Sequence, residues 1–448
     1  MSSAFAEFET KMRSAHMNDA AIRAFKHSYD SLLAGKTGLL LESEIQPVTT
    51  LPRLEDIAHK AKPDAALLSQ TIVVKLNGGL GTGMGLERAK SLLKIKSDLT
   101  FLDFTAKQIL HLREHYKSPL RFLLMNSFST SRDTLEFLKK YPALGDAAGL
   151  EVMQSAVPKV DAATLRPASW PAQPELEWCP PGHGDLYPSL LGSGWLDRLL
   201  AAGVKYLFVS NSDNLGASLD LDLLAYFANS GLSFMMEVCE RTASDRKGGH
   251  LAQREGHLLL RESAQCPEAD TEAFQDVKRH RFFNTNNLWL RLDELKKLLE
   301  KNGGFIPLPV IKNVKTIDPR DKKSPKVFQL ETAMGAAIEC FERSGALIVP
   351  RTRFAPVKTT GDLLAMRSDA YTVTPDWRLE LAPECHGTPP NIELDAEHYK
   401  MVDQLDAALA GGVPSLKQCR ELKVNGAHQF NSSEVFVGNV TLGGSGKL

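Results

Sequence analysis

The run Thr71-Ile-Val-Val-Lys75-Leu76-Asn77-Gly78-Gly79-Leu80-Gly81-Thr82-Gly83-Met84-Gly85 decides how the chain is read. Thr71–Leu76 is a short apolar, β-rich run, and five glycines in eight residues follow it directly. Strands covered on both faces carry consecutive apolar residues rather than strict alternation. Glycines at this density turn tightly and let backbone N–H groups approach a phosphate chain without side-chain obstruction. The carboxyl end of a parallel strand is also where open α/β sheets bind ligands. Two commoner phosphate loops are excluded. No Gly-x-Gly-x-x-Gly occurs, because Met84, Leu86 or Arg88 would have to be its third glycine, and no Gly-Lys-Ser/Thr follows. The bland alternative is a merely flexible loop. Lys90, just beyond, either is solvated or places a compact positive charge against phosphate.

Working outward, apolar runs alternate with helical periodicity. Leu120–Met125 precedes a helix around Arg132–Tyr141, Val204–Val209 one around Asp220–Ala228, and Leu232–Val238 follows; another helix covers Phe101–Tyr116. This predicts an open α/β domain, a parallel sheet with crossover helices. Residues 1–45 read as an N-terminal helical segment through Phe5, Phe8, Met12, Ile22, Phe25 and Tyr29. Residues 46–385 form the α/β domain. Over 386–448 the composition changes: a helix is expected at Ala396–Ala410, then short apolar runs with glycines at Leu422–Gly426 and Val435–Gly443. These resemble rungs of a short β-helix, with a frayed hairpin as the alternative.

The 448 residues carry 53 Lys+Arg against 54 Asp+Glu, with 43% hydrophobic and 24% charged residues, which excludes disorder and a collagen-like chain. A net charge of −1 leaves no global field for nucleic acid or acidic lipid. Neither nucleic-acid nor membrane partners are expected. Six scattered cysteines without a Cys-x-x-Cys pair read as reduced, mostly buried thiols. The cytoplasm is the expected compartment: Met1–Ala20 lacks a signal peptide's apolar region, and Gly446-Lys447-Leu448 misses the peroxisomal Ser-Lys-Leu address at its first position.

From Leu76–Ser91 onward the chain resembles the eukaryotic-type UTP–glucose-1-phosphate uridylyltransferases (UDP-glucose pyrophosphorylases). The resemblance continues through Phe101-Leu102-Asp103, Pro180–Asp185, Ser210–Gly216, Lys247–Leu251, Phe283–Trp289, Gln329–Ala333 and Arg353–Thr360, in family order. It implies an α/β fold, a Rossmann-like nucleotidyltransferase domain with a mixed, mainly parallel sheet and a short C-terminal left-handed β-helix-like domain, in which a phosphate oxygen of glucose 1-phosphate attacks the α-phosphorus of UTP in line, giving UDP-glucose and pyrophosphate reversibly. Sugar phosphate, with a second pKa near 6, is already ionised, so no protein general base is required and catalysis is positioning plus charge neutralisation.

By resemblance, Lys90 and Lys358 are the catalytic cations. Leu76, Asn77, Gly78, Gly79, Gly81, Thr82, Gln154, Gly182 and His183 hold the nucleotide, Gln154 and Gly182 reading uracil and His183 shaping its loop rather than moving a proton. Asn211, Glu262 and Asn286 match sugar-contacting positions, while Asn284 and Asn287 are expected to be structural neighbours. Asp213 resembles the Mg²⁺ carboxylate, a helix N-cap being the other reading. Lys358 is expected at the end of an apolar strand, and Gln329–Ala333 is expected to open a helix packing Met334, Ala337, Ile338 and Phe341 inward. Family members typically continue through more β-helix coils than this chain shows, so a monomer or at most a weak dimer is expected. The alternatives are a broader UDP-sugar or UDP-N-acetylhexosamine pyrophosphorylase and, from another class, a nucleotide-sugar binding protein without turnover.

Overall fold

The structure is a computed structural model describing residues 4–36, 38–57, 64–242 and 245–443. The C-terminal tripeptide lies outside these. Ten strands form the main sheet: β1 (Gln46–Pro47), β2 (Thr71–Asn77), β3 (Arg121–Asn126), β4 (Glu151–Met153), β5 (Tyr206–Asn211), β6 (Phe234–Glu240), β7 (His250–Arg254), β8 (His257–Arg261), β9 (Phe282–Arg291) and β10 (Ser344–Ile348). Their order is β1-β7-β9-β5-β2-β3-β4; β8 pairs with β7, and β6 pairs with both β9 and β10. Strands β5, β2, β3 and β4 run parallel, as do β6 and β10. Strand β9 runs antiparallel to β5, β6 and β7.

The expected α/β core is present, and one expectation is corrected: the sheet is evenly mixed rather than mainly parallel. The cause is β9, whose Asn284-Thr-Asn-Asn287 centre reads as a polar loop. Asn284, Thr285 and Asn287 are nonetheless buried, and Asn287 is held by partners on neighbouring segments, described below.

Apolar side chains leave β2 on both faces. Ile72 and Val74 join Leu123, Val209, Leu190, Leu196 and Leu295 in one core. Val73 joins Leu102, Ile109, Phe122, Phe208 and Phe227 in the other. The covering helices begin where short polar side chains satisfy their first N–H groups. Thr100 and Asp103 form a reciprocal capping box for Phe101–His115, and Asp220 caps Leu221–Ser230.

The N-terminal helices Ala4–Ser14 and Asp19–Leu33 stack Phe5, Phe8, Phe25 and Tyr29 against Val157, Cys179, Val310 and Leu330. At the other end Asn391–Leu394, Ser415–Val424 and Val435–Leu442 pair in parallel, which rules out the hairpin. The single helix expected at Ala396–Ala410 is two, Ala396–Tyr399 and Val402–Ala408. Met401 between them is extended, its N–H donated to Gln404 Oε1 at 2.9 Å. Gln329 to Thr332 does not open a helix but ends the strand Lys326–Thr332, and a 3₁₀ turn, Met334–Glu339, follows. Met334, Ala337, Ile338 and Phe341 do pack inward as expected. All six cysteines are free, and four of them are buried.

Candidate active site

The glycine loop leaves the carboxyl end of β2 between the ends of β5 and β3. Gly81 and Gly85 hold positive φ of 71° and 77°, which favours glycine, and they flank the 3₁₀ turn Thr82–Met84. The loop closes on itself through Lys90 N–H, which donates to the Gly79 carbonyl at 3.1 Å, and Ser127 Oγ donates to the Gly78 carbonyl at 2.9 Å. A Cβ at Gly79 or Gly83 would meet nothing within 4 Å, so both present open backbone.

The Asn77 side chain does not face that space. It is buried, with Nδ2 donating to Asn126 Oδ1 at 2.7 Å and to Thr134 Oγ1 at 2.9 Å, and it braces the loop from below. Of Asn77 only the backbone is left for the nucleotide contact expected from the sequence. Leu76 is half-buried and in register with Asn211 at the end of β5.

Three groups of expected residues converge on this edge. In the first, Lys90 Nζ donates to Asp213 Oδ2 at 2.6 Å and to the carbonyl of Val357, the residue before Lys358. Asn214 ties the same two segments together: its Oδ1 accepts from Ala355 N–H at 3.0 Å and its Nδ2 donates to the Arg353 carbonyl at 3.1 Å. Asp213 is thus not a helix cap. Lys358 is exposed and does not end an apolar strand. Pro356 makes only an isolated bridge to Asn214, and Lys358 lies ahead of the helix Thr360–Arg367, its N–H donated to Asp362 at 2.8 Å.

In the second group Gln154 Nε2 donates to the Gly182 carbonyl at 2.9 Å, and its Oε1 lies 2.7 Å from where a Gly78 Cβ would be. Gly182 has φ of 81° and presses against the Thr332 backbone. His183 Nδ1 accepts the Met334 N–H at 3.0 Å, which fixes the loop and the tautomer. Burial pushes His183 down to about 4, so at neutral pH it is an uncharged acceptor. Behind it, Asp185 is raised to about 6, burial outweighing the hydrogen bonds it accepts from Ser189 and Ser155.

The third group joins Glu262, Asn284 and Asn286. Asn284 Nδ2 donates to Asn286 Oδ1 at 2.9 Å, and the Asn284 side chain also bonds Glu262. Burial raises the Glu262 carboxyl, while Asn284 and the Lys358 charge pull it back. Asn286 holds a left-handed φ of 59°, and Gly249 has no room for a Cβ against the Glu262 carboxylate. A cavity of about 660 Å³ adjoins Lys358 on another side, between Asp245, Arg351 and Gly387–Asn391; no glycine-loop residue lines it.

Beneath these groups lies a buried network that motif reading missed. Glu237 accepts from Arg353 Nε at 2.7 Å, Arg353 Nη2 at 2.9 Å, Trp289 Nε1 at 2.9 Å and Asn287 Nδ2 at 3.0 Å. Asn287 is structural, as expected. Lys75 is buried within β2, where desolvation, with Arg353 adding repulsion, lowers its amine to about 7. A lysine inside an apolar strand was the one signal the sequence offered for this network.

An open glycine loop, two lysines and a carboxylate at the carboxyl edge of a Rossmann-like sheet match the nucleotidyltransferase class of α/β protein. The family model for UTP–glucose-1-phosphate uridylyltransferase matches residues 22–436. The enzyme of that name from Hordeum vulgare is 40% identical over 381 residues, covering 84% of this chain and 78% of the relative. That from Encephalitozoon cuniculi is 36% identical, covering 96% and 85%. A UDP-glucose pyrophosphorylase mutant from Leishmania major, crystallised with UDP-glucose, is 50% identical, covers 98% of this chain and 94% of its own, and superposes with a TM-score of 0.94. The chain belongs to the UTP–glucose-1-phosphate uridylyltransferase family.

Proposed function

We propose that the protein is a UTP–glucose-1-phosphate uridylyltransferase that forms UDP-glucose and pyrophosphate reversibly. The observation that carries the site reading is the convergence of Lys90, Asp213 and the Val357–Lys358 segment on one point beside the open glycine loop. The loop backbone at Gly78, Gly79, Gly81 and Thr82, with Leu76 and Asn77 at its base, grips the triphosphate. Gln154, held by Gly182, reads uracil, with a carboxamide that can both donate and accept. Asn211, Glu262 and Asn286 orient glucose. Lys90 neutralises the leaving pyrophosphate, and Lys358 bridges the phosphates of both substrates as charge builds in the displacement.

Asp213 would hold Mg²⁺. Among the described residues no cluster of three His, Cys, Asp or Glu could hold a metal, but one carboxylate at the phosphate edge fits an ion that keeps waters and binds largely through substrate phosphates. When bound, it supplies charge neutralisation on the phosphates.

The reading extends to organisation. Units at 1–45, 46–385 and 386–448 are proposed, the last as a short left-handed β-helix-like domain, supported by its three strands in parallel register. Among the described residues no helix is long and apolar enough to cross a membrane, and a cytoplasmic setting is proposed. A monomer, or at most a weak dimer, is proposed because the exposed large apolar residues on the last strand are only Val435 and Val437, whereas stable interfaces bury about 1,200 Å² or more.

Pyrophosphate release from UTP and glucose 1-phosphate with Mg²⁺, run beside galactose 1-phosphate and N-acetylglucosamine 1-phosphate, tests the proposal. Turnover preferring glucose 1-phosphate is expected. Nucleotide binding without any pyrophosphate release would leave the non-catalytic binder as the correct reading.

A further inference from the structure

The segment that carries Asp213 is gripped from beneath by two buried basic side chains at consecutive carbonyls. Lys75 Nζ donates to the Ala217 carbonyl at 2.8 Å and Arg353 Nη2 to the Ser218 carbonyl at 3.0 Å. Lys75 also donates to Ser210 Oγ at 2.8 Å, its register partner on β5. Both side chains are buried, so water does not compete for these bonds. The two anchors come from elements that carry other parts of the site: Lys75 from the strand that launches the glycine loop, and Arg353 from the segment that continues to Lys358. Glu237 fixes Arg353 through two bonds. Between its first bond, from Ser212 N–H to the Leu76 carbonyl at 3.0 Å, and these carbonyls, the loop reaches its neighbours through Asp213, Asn214, the buried Leu215, which packs in one core with Met84 and Val357, and the close approach of Gly216 to the Thr352 carbonyl. Its position is therefore set by β2 on one side and by the Arg353–Lys358 segment on the other.

We infer that Lys75 and Arg353 are positioning residues that clamp the 211–218 loop so that the Asp213 carboxylate stays registered against the glycine loop and Lys358. Neither touches substrate; both act through the loop. The inference rests on the proposed role of Asp213, and its structural half can be tested without turnover.

Lys75→Met keeps the length and apolar stem but removes the donors. Amide hydrogen exchange of the metal-free protein should quicken across 211–218 by about 10- to 100-fold, the factor expected from leaving one buried carbonyl unpaired. kcat should fall by a similar factor, and UTP dissociation measured by calorimetry should change less than about 3-fold, since the glycine loop keeps its own bonds. Val73→Ala, on the same strand and face, is the control for general loss of packing: it should lower the melting temperature without loop-specific exchange. If Lys75→Met does not fold, Ser210→Ala removes one of the two acceptors of Nζ and carries the same readouts with smaller changes. Wild-type exchange at 211–218 in the folded variant, or the same loop-specific change in Val73→Ala, overturns the inference. An inactive wild type, or Asp213→Ala with full activity, would instead refute the site reading, with the exchange result still deciding the clamp.

Discussion

Lys358 reaches the site from an exposed turn, with its backbone N–H held by Asp362 and its charge felt by Glu262. Its removal leaves the loop and its hydrogen bonds intact. Lys358→Ala should therefore lower kcat by about 10²–10³-fold, the loss typical of one donor aimed at developing charge, while UTP affinity measured by calorimetry changes little. Gly78 makes the opposite case. An added Cβ would press on Gln154 Oε1, the end of a flexible side chain, so Gly78→Ala should leave the melting temperature nearly unchanged and displace the carboxamide. The expected result is a raised KM for UTP and a weaker preference for UTP over CTP; an unaltered preference would take Gln154 out of the base pocket. His183 yields a pH prediction. Its folded pKa of about 4 lies below the ordinary 6.5, so between those values the unfolded chain takes up a proton that the folded chain refuses, and acid favours unfolding. His183→Asn keeps an acceptor for the Met334 N–H but cannot protonate. Its unfolding free energy relative to wild type should rise as pH falls from 6.5 to 4, and a flat difference would mean the imidazole is not held neutral.

At the scale of elements, β2, β3 and β5 were legible because each is built on a run of mostly apolar residues, and their boundaries shift by at most two residues from the sequence reading. Strand β9 was not, although its Asn-rich block was noticed for its resemblance. Asn287 and Trp289 can lie inside only because Glu237, about 50 residues away in sequence, accepts their hydrogens, and Glu237 is tolerated only because Arg353 neutralises it. Such dependence has no local periodicity for a sequence reading to detect. The same holds for Gln154 and Gly182, whose hydrogen bond joins segments 28 residues apart, and for Lys75, whose partners are 135 and 142 residues distant. Buried networks of this kind are asymmetric in energy. Removing one partner strands the other, so Glu237→Gln, leaving Arg353 without its counter-charge, should cost about 3–5 kcal/mol in denaturant unfolding. A cost below about 1 kcal/mol would show that Arg353 finds water or another anion.

Across the whole molecule, the core under the C-terminal strands is not confined to them. Met84, Leu93, Phe101 and Phe104 from the glycine-loop region share it with Val357, Leu363, Tyr399, Val402, Leu405 and Leu422. The loop is therefore held at both ends: by β2 where it begins, and by residues near 400 where it finishes. Contact is closest at Gly85, where a Cβ would come within 3.0 Å of Met401 Sδ. Met401 is also the extended residue that starts the helix Val402–Ala408. Met401→Ala opens space beside the loop without deleting any expected phosphate or sugar contact. Met401 is only partly buried, so the stability loss should be about 1–2 kcal/mol, below the range for a fully buried methionine. If the two ends of the loop act together, KM for UTP should rise several-fold, with kcat nearly unchanged, because an unanchored loop must be ordered by the nucleotide it binds. Steady-state kinetics beside a thermal melt separates the effects: a lowered melting temperature with an unchanged KM would confine the C-terminal segment to support of the fold.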